Sequence, residues 1–210
     1  CPRHRVMIDW STVLEFEDAI AKHCGSKYAL ACDSNSNALR LMLYYLNITG
    51  KKINIPKNTY VSVPNQIILS GNIPVFENIE WLGYYRIGDT NIVDSATLFG
   101  KGIYIPGSYQ ILSFHFKKIL NIGKGGMILT DDSEFIKWAR PMIYDGRHID
   151  SMYTDDEFQC IGWHMYMTPE DAYKGLDIFN NNLKDKHVRS CGSSWTYKDL
   201  TQQTIYKDYL

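Results

Sequence analysis

Between Thr12 and Phe76 helical and extended patterning alternate three times, which leaves few folds open to the chain. Thr12-x-x-Glu15 reads as a capping box, and Val13, Phe16, Ala19 and Ile20 follow at helical spacing until Gly25. Lys27 to Cys32 reads as a strand, Ser36 to Leu46 as a helix apolar on most sides, and Ile53 to Ile55 as a short strand. Val61 to Leu69 is a helix carrying Pro64 and closed by Gly71, and Ile73 to Phe76 is a strand. Alternation of this kind predicts an α/β fold: a mostly parallel sheet with helices on both faces. In such sheets ligands sit beyond the carboxyl ends of the strands, so chemistry is sought there.

The second half is richer in strands. Tyr84 to Ile87, Asn91 to Val93, Gln110 to His115 and Met127 to Leu129 are candidates. Asp132 to Arg140 reads as a helix capped by Asp132 and ended by Pro141. Thr168 to about Leu183 is a further helix, with Thr168 as N-cap, Pro169 in first position and Asp171 completing the box. A polar tail follows from Asn180 to Leu210.

Composition excludes several classes of function. With 210 residues, 45% of them apolar, the chain can bury one good core, and its 21% charged residues fit a soluble globular protein. A net charge of −1 without a basic run gives no footprint for nucleic acid or an anionic membrane. The longest apolar stretches, such as Ala38 to Leu46, are too short to span a bilayer, and Cys1 to Trp10 lacks a secretory core. The chain opens on Cys1 rather than Met, so an upstream piece is expected. Cys1, Cys24, Cys32, Cys160 and Cys191 form no C-x-x-C pair and are odd in number, which fits free thiols in a reducing cytoplasm. His4, His23, His115, His148, His164 and His187 have no metal-binding spacing. Neither a G-x-S-x-G elbow nor a G-x-G-x-x-G turn after the first strand is present.

Four strand ends carry groups with chemical potential. Asp33-Ser34-Asn35-Ser36 runs straight into a helix, where free amides and hydroxyls attract an anion, or simply cap the helix. Asn58-Thr59-Tyr60 offers Tyr60 as a stacking face, or as an ordinary core or surface tyrosine. Asp94, followed by Ser95 and Ala96, places a carboxylate at a strand end, able to hold a ring N–H or to cap a turn. Ser113-Phe114-His115-Phe116-Lys117-Lys118 precedes Gly123-Lys124-Gly125-Gly126. A lysine there in apolar surroundings becomes a nucleophile, whereas a solvated Lys-Lys pair does not.

In order and spacing these pieces resemble the DegT/DnrJ/EryC1/StrS family of PLP-dependent sugar aminotransferases, from about Val13 to Phe179. Ser34-Asn35-Ser36-Asn37-Ala38-Leu39 is similar to the family's SGTxAL. Pro56-Lys57-Asn58-Thr59-Tyr60-Val61-Ser62 resembles its Pro-x-x-Thr-aromatic segment. Gly71 to Phe76 resembles GxxPVF, and Ile92 to Ala96 its Glu-Asp-x-Ala strand end. Ser113, Phe114, Lys118, Gly123, Gly125 and Gly126 match every fixed position of the lysine loop SFxxxKxxxxGxGG.

The resemblance implies a fold type I large domain that binds pyridoxal 5′-phosphate (PLP). Lys118, not Lys117, is then the Schiff-base lysine and proton shuttle. Asp94 would hold the pyridinium nitrogen. Ser34, Asn35, Ser36 and Ser113 would hold the phosphate, and Tyr60 would stack on the ring. Glutamate would donate the amino group to a keto-sugar linked to a nucleotide, in a homodimer with the site at its interface. Some positions depart from the family. Asn35 replaces a glycine, and Thr97 stands where a His or Gln meets the 3-hydroxyl. Gly162 to Met167 resembles GxNxRM, with His164 in place of an asparagine that reaches across the dimer and Tyr166 in place of an arginine. Residues 1–187 are expected to form the PLP-binding domain, with 188–210 as a remnant of, or substitute for, the family's smaller C-terminal domain. The competing expectation is a reduced PLP-binding protein without transamination, with a structural or regulatory role.

Overall fold

The computed structural model describes residues 9–209, so Cys1 and His4 lie outside it. Helix α1 spans Trp10–Cys24. Its N-cap is Asp9 rather than Thr12: Asp9 accepts from the Ser11 amide, and Thr12 returns the bond as third residue of the box. The earlier start lets Trp10 pack edge-on against Tyr144 and Tyr166, with ring centroids 4.8 and 5.3 Å away. Gly25, at φ 94°, ends the helix as expected.

The alternation then runs β1 (Tyr28–Cys32), α2 (Asn35–Tyr45), β2 (Lys52–Pro56), α3 (Ser62–Leu69) and β3 (Ile73–Glu77). Short strands follow: β4 (Tyr85–Arg86), β5 (Ile92–Asp94), β6 (Leu98–Phe99), β7 (Tyr109–Ser113) and β8 (Gly126–Thr130). Helices α4 (Ser133–Met142) and α5 (Pro169–Ile178) come next, and α5 is prolonged by a π turn over Phe179–Leu183. Pro141 sits inside the last turn of α4 instead of ending it, since a proline this near the end removes a single helical hydrogen bond. The last strand, β9, is Arg189–Ser190.

The main sheet has the order β1-β8-β7-β5-β4. It is mostly antiparallel, which corrects the expected mostly parallel sheet. Strand β8 runs against both β1 and β7, and β4 runs against β5. Parallel pairing is confined to β5 with β7 and to the separate pair β2 with β3. Parallel neighbours need a crossover of a dozen or more residues, usually a helix. None intervenes between β7 and β8, where the chain forms only the lysine loop.

Helices cover both faces, as expected. On β1, Leu30 and Cys32 face the core of α2, α3 and α4, while Ala29 and Ala31 face that of α1 and α5. On β8, Ile128 points to the first core and Met127 and Leu129 to the second. A sheet buried on both sides holds its functional groups at its ends. Glu17, on α1, is buried between the layers; it accepts from the Ala31 amide at 2.7 Å and pairs bidentately with Arg140.

The C-terminal segment is a packed strap rather than a loose tail. Strand β9 pairs with β6, and the Ser194 and Leu200 amides bond the carbonyls of Trp81 and Lys57. Tyr206, 1% exposed, donates to Val61 or Asn65 on the α3 side. The strap thus crosses the carboxyl ends of β5 and β2 before reaching α3.

Candidate active site

At the end of β5, Asp94 is only 6% exposed. Its Oδ1 accepts from the Ala96 amide at 2.9 Å and from Asn35 Nδ2 at 3.4 Å; its Oδ2 accepts from the Tyr85 hydroxyl at 2.8 Å. Burial pushes the Asp94 carboxyl above its ordinary range, opposed by these donors and by the Lys118 charge. Tyr85 is in turn within hydrogen-bonding contact of the Thr59 hydroxyl. Burial and the neighbouring carboxylate push the Tyr85 phenol well above its ordinary range.

The loop after β7 separates the two candidate lysines. The strand ends at Ser113, and the Lys118 amide bonds back to the His115 carbonyl at 2.8 Å. That turn breaks the alternation of strand side chains. Lys117 is exposed, with its ammonium 5.5 Å from the Phe116 ring centre. Lys118 is half-buried and, among the described residues, forms no ion pair. Burial lowers its pKa, partly offset by Cys191 and Asp94. Lys118 and Asp94 therefore feel each other's charge without bonding directly. Ser113 lies half-buried at the start of the same loop.

At the start of α2, Ser34 caps the helix by accepting from the Asn37 amide. Gly126 of β8 packs against this turn so closely that a Cβ would lie 2.4 Å from the Ser34 carbonyl carbon and 2.5 Å from the Asn35 nitrogen. The amides of Asn35 and Ser36 form the positive helix end. A carboxylate already stands beside it: Asp33 accepts from Asn37 and Ser34 and pairs with Lys124 at 3.1 Å.

The remaining expected residues fall in different places. Tyr60 is 57% exposed and meets Tyr197 edge-on, ring centroids 6.4 Å apart. Thr97 is buried, and its hydroxyl lies against the carbonyls of Gly83 at 2.9 Å and Gly192 at 3.3 Å, so it anchors the strap. His164 is exposed, its Nδ1 2.7 Å from Asp145, and in one chain it is not gathered with the others. Thr59, Tyr60, Trp81, Tyr85, Asp94, Thr97 and Tyr197 line a pocket of only about 10 Å³. A cleft of about 720 Å³ between Arg40, Tyr44, Trp138 and Trp163 contains none of the expected site residues.

Sequence reasoning missed Tyr85, Trp81 and Tyr197. A signal existed for Tyr85: the two strand runs around Gly88-Asp89 read as a hairpin, and hairpin pairing sets Tyr85 opposite Asp94. Trp81 and Tyr197 meet only through the strap, and no local pattern announces that contact.

The donor set fits a phosphorylated pyridine aldehyde. It offers an amine of lowered pKa, a buried carboxylate near it, a helix N-terminus and an exposed aromatic face. The Asp94 oxygens keep lone pairs for one more N–H donor beyond those present. Asp33, beside the helix end, is of the wrong sign for a phosphate.

A profile of the DegT/DnrJ/EryC1/StrS aminotransferase family matches residues 3–88 and 87–177. The GDP-perosamine synthase of Caulobacter vibrioides is 27% identical over 207 aligned positions, covering 78% of this chain and 55% of the relative. The UDP-4-amino-4-deoxy-L-arabinose–oxoglutarate aminotransferase of Shewanella sediminis is 27% identical over 135 positions, covering 64% and 31%. The chain thus spans about half, or less, of these relatives' lengths. A DegT/DnrJ/EryC1/StrS aminotransferase structure from Brucella abortus superimposes with a TM-score of 0.68 at 19% identity, covering 94% of this chain and 79% of that one. A Streptococcus pneumoniae structure of the sugar aminotransferase class, in its PMP form, gives 0.65 at 17% identity, covering 80% and 58%. These likenesses show the fold.

Proposed function

The chain belongs to the DegT/DnrJ/EryC1/StrS aminotransferase family, and from that membership we propose that it is the PLP-binding part of an enzyme moving an amino group from glutamate to a nucleotide-linked keto-sugar. The observation that carries this reading is Lys118: half-buried, unpaired among the described residues, and within the field of a buried carboxylate. When bound, PLP supplies an aldehyde to take up the amino group and a ring to accept electrons. The protein's own groups do the rest. Lys118 Nζ, its pKa lowered by burial, has a larger neutral fraction than an ordinary lysine and so can attack a carbonyl and later carry a proton. Asp94 offers a fixed negative charge to a protonated ring nitrogen. The amides at Ser34 to Ser36 and the Ser113 hydroxyl would hold the phosphate, and Tyr60 would supply a stacking face for the ring. His164 acts from a second copy of the chain in a homodimer. Residues 1–187 serve as the cofactor domain, and 188–210 stand in for a smaller C-terminal domain. Among the described cysteines, Cys24, Cys32, Cys160 and Cys191 are free.

The relatives' names support a nucleotide-sugar substrate, since a GDP-linked sugar appears in one and a UDP-linked sugar in the other. Adding PLP is expected to turn the protein yellow, and borohydride reduction to fix the label on the peptide containing Lys118. No label, or a label on Lys117, overturns the reading. One observation favours a second reading, cofactor binding without turnover: the pocket that Trp81, Tyr85 and Tyr197 line beside Asp94 holds only about 10 Å³. A half-reaction with glutamate separates the two, since only a competent site converts the bound PLP to its amine form.

A further inference from the structure

A carboxylate as buried as Asp94 loses the hydration that keeps it charged, and burial alone favours its neutral form. A neutral Asp94 could not balance a protonated ring nitrogen. The groups that face it come from five elements. Ala96, in its own turn, gives an amide to Oδ1. Asn35 on α2 gives a long contact of 3.4 Å, shared with the Ile111 carbonyl of β7. Lys118, after β7, acts through its charge alone, and Tyr197 on the strap lies near enough to feel the carboxylate. Among the described residues, only the Tyr85 hydroxyl, on β4, contacts Oδ2.

The placement of Tyr85 follows from pairing. In the antiparallel ladder of β4 and β5, Tyr85 lies directly opposite Asp94, so the two side chains share one face. The Tyr85 ring is held by Trp81, 5.0 Å away between centroids. Its hydroxyl has one proton, and Thr59 and Asp94 both contact that oxygen. Ionised, Asp94 accepts and does not donate, so Tyr85 then donates to Asp94 and accepts from Thr59. The chain of bonds therefore runs one way, from Thr59 through Tyr85 to Asp94.

We propose that Tyr85 is the positioning residue of Asp94: the Thr59–Tyr85 pair keeps the buried carboxylate ionised and fixes Oδ2 in place. As the partner of a ring nitrogen this role rests on the proposed PLP site; as a control on Asp94 itself it does not. Without the Tyr85 hydroxyl, Asp94 binds its proton more tightly. The loss is felt at low pH and fades as pH rises past the new midpoint, where Asp94 ionises unaided.

The test is a titration of Asp94 in the cofactor-free protein, followed by NMR of 13C-carboxyl-labelled aspartate and assigned with D94N. In Y85F, which keeps the packed ring, the Asp94 midpoint is expected to move up, and in T59V to move the same way by less. PLP affinity, read by fluorescence quenching, is expected to fall about tenfold near neutral pH in Y85F and to recover at alkaline pH. D94N is expected to bind weakly at every pH. An Asp94 midpoint in Y85F equal to that of the parent overturns the proposal, whatever PLP does. A raised midpoint in a protein that never binds PLP upholds the Tyr85 role and sinks the cofactor reading instead.

Discussion

At the scale of single residues, Lys118 and Lys117 differ in burial, and on the proposed reading that difference selects Lys118. Lys117 lies in solvent beside Phe116, whereas burial lowers the Lys118 pKa. An amine attacks a carbonyl only when neutral, so the rate of label formation with PLP rises with pH through the lysine's own pKa. For the parent protein that rise is expected at lower pH than for an ordinary lysine. Lys118→Ala should abolish the label and Lys117→Ala should keep it, as read by peptide mapping after reduction. Replacing Asp94 by Asn removes a charge that holds Lys118 protonated, so the rise should move to still lower pH. The same change should slow the glutamate half-reaction by roughly a hundredfold or more, because an amide cannot balance a positive ring nitrogen. Its effect on folding should be small, since Asn can still accept from the Ala96 amide. Equal rates in Asp94→Asn and the parent would refute the role given to Asp94.

At the scale of elements, the helix α2 turn and strand β8 are fitted to each other through Gly126. A Cβ at Gly126 would lie 2.4 Å from Ser34 backbone, and backbone at a helix cap has little room to yield. Gly126→Ala is therefore expected to cost about 1–3 kcal/mol in denaturant unfolding and to weaken PLP binding, because the helix end must shift. Unchanged stability would mean that the strand and the cap are free to separate. Much of this element layout was legible in the sequence, because caps, periodicity and glycine stops are local. Val13, Phe16 and Ile20 marked the buried face of α1, and Ser113, Lys118 and Gly126 marked the loop. Strand direction was not read correctly, although the stretch from Phe114 to Gly125 holds no crossover helix and so turns the chain back on itself. The start of α1 was misplaced because Asp9 and Thr12 are both good capping residues, and only the packing of Trp10 chooses between them. The strap escaped notice for another reason: its anchors, Tyr197, Leu200 and Tyr206, follow neither a helical nor a strand period and gain their meaning only from distant partners.

At the scale of the whole molecule, two surfaces bear on the proposed cofactor site. The first is the strap, which buries Leu200 and Tyr206 and walls the Asp94 pocket with Tyr197. Each fully buried large side chain contributes about 1.5–3 kcal/mol, so ending the chain at residue 187 should lower stability by several kcal/mol. A truncated chain with an unchanged unfolding midpoint would show that the strap is decoration. The second surface is the segment between Asp145 and His164, which leaves Met152, Tyr153, Phe158 and Ile161 at 73, 68, 55 and 98% exposure. Large apolar side chains concentrated on one loop mark a surface that another protein covers. His164 stands at the end of this loop, exposed, with its ring against Asp145. Sedimentation is therefore expected to show a homodimer. Ile161→Asp places a charge in the contact and should shift the protein toward monomer. PLP affinity should fall together with dimerisation, and His164→Ala should weaken PLP binding while leaving the dimer intact. A stable monomer that binds PLP as tightly as the parent would remove both the dimer and the part given to His164.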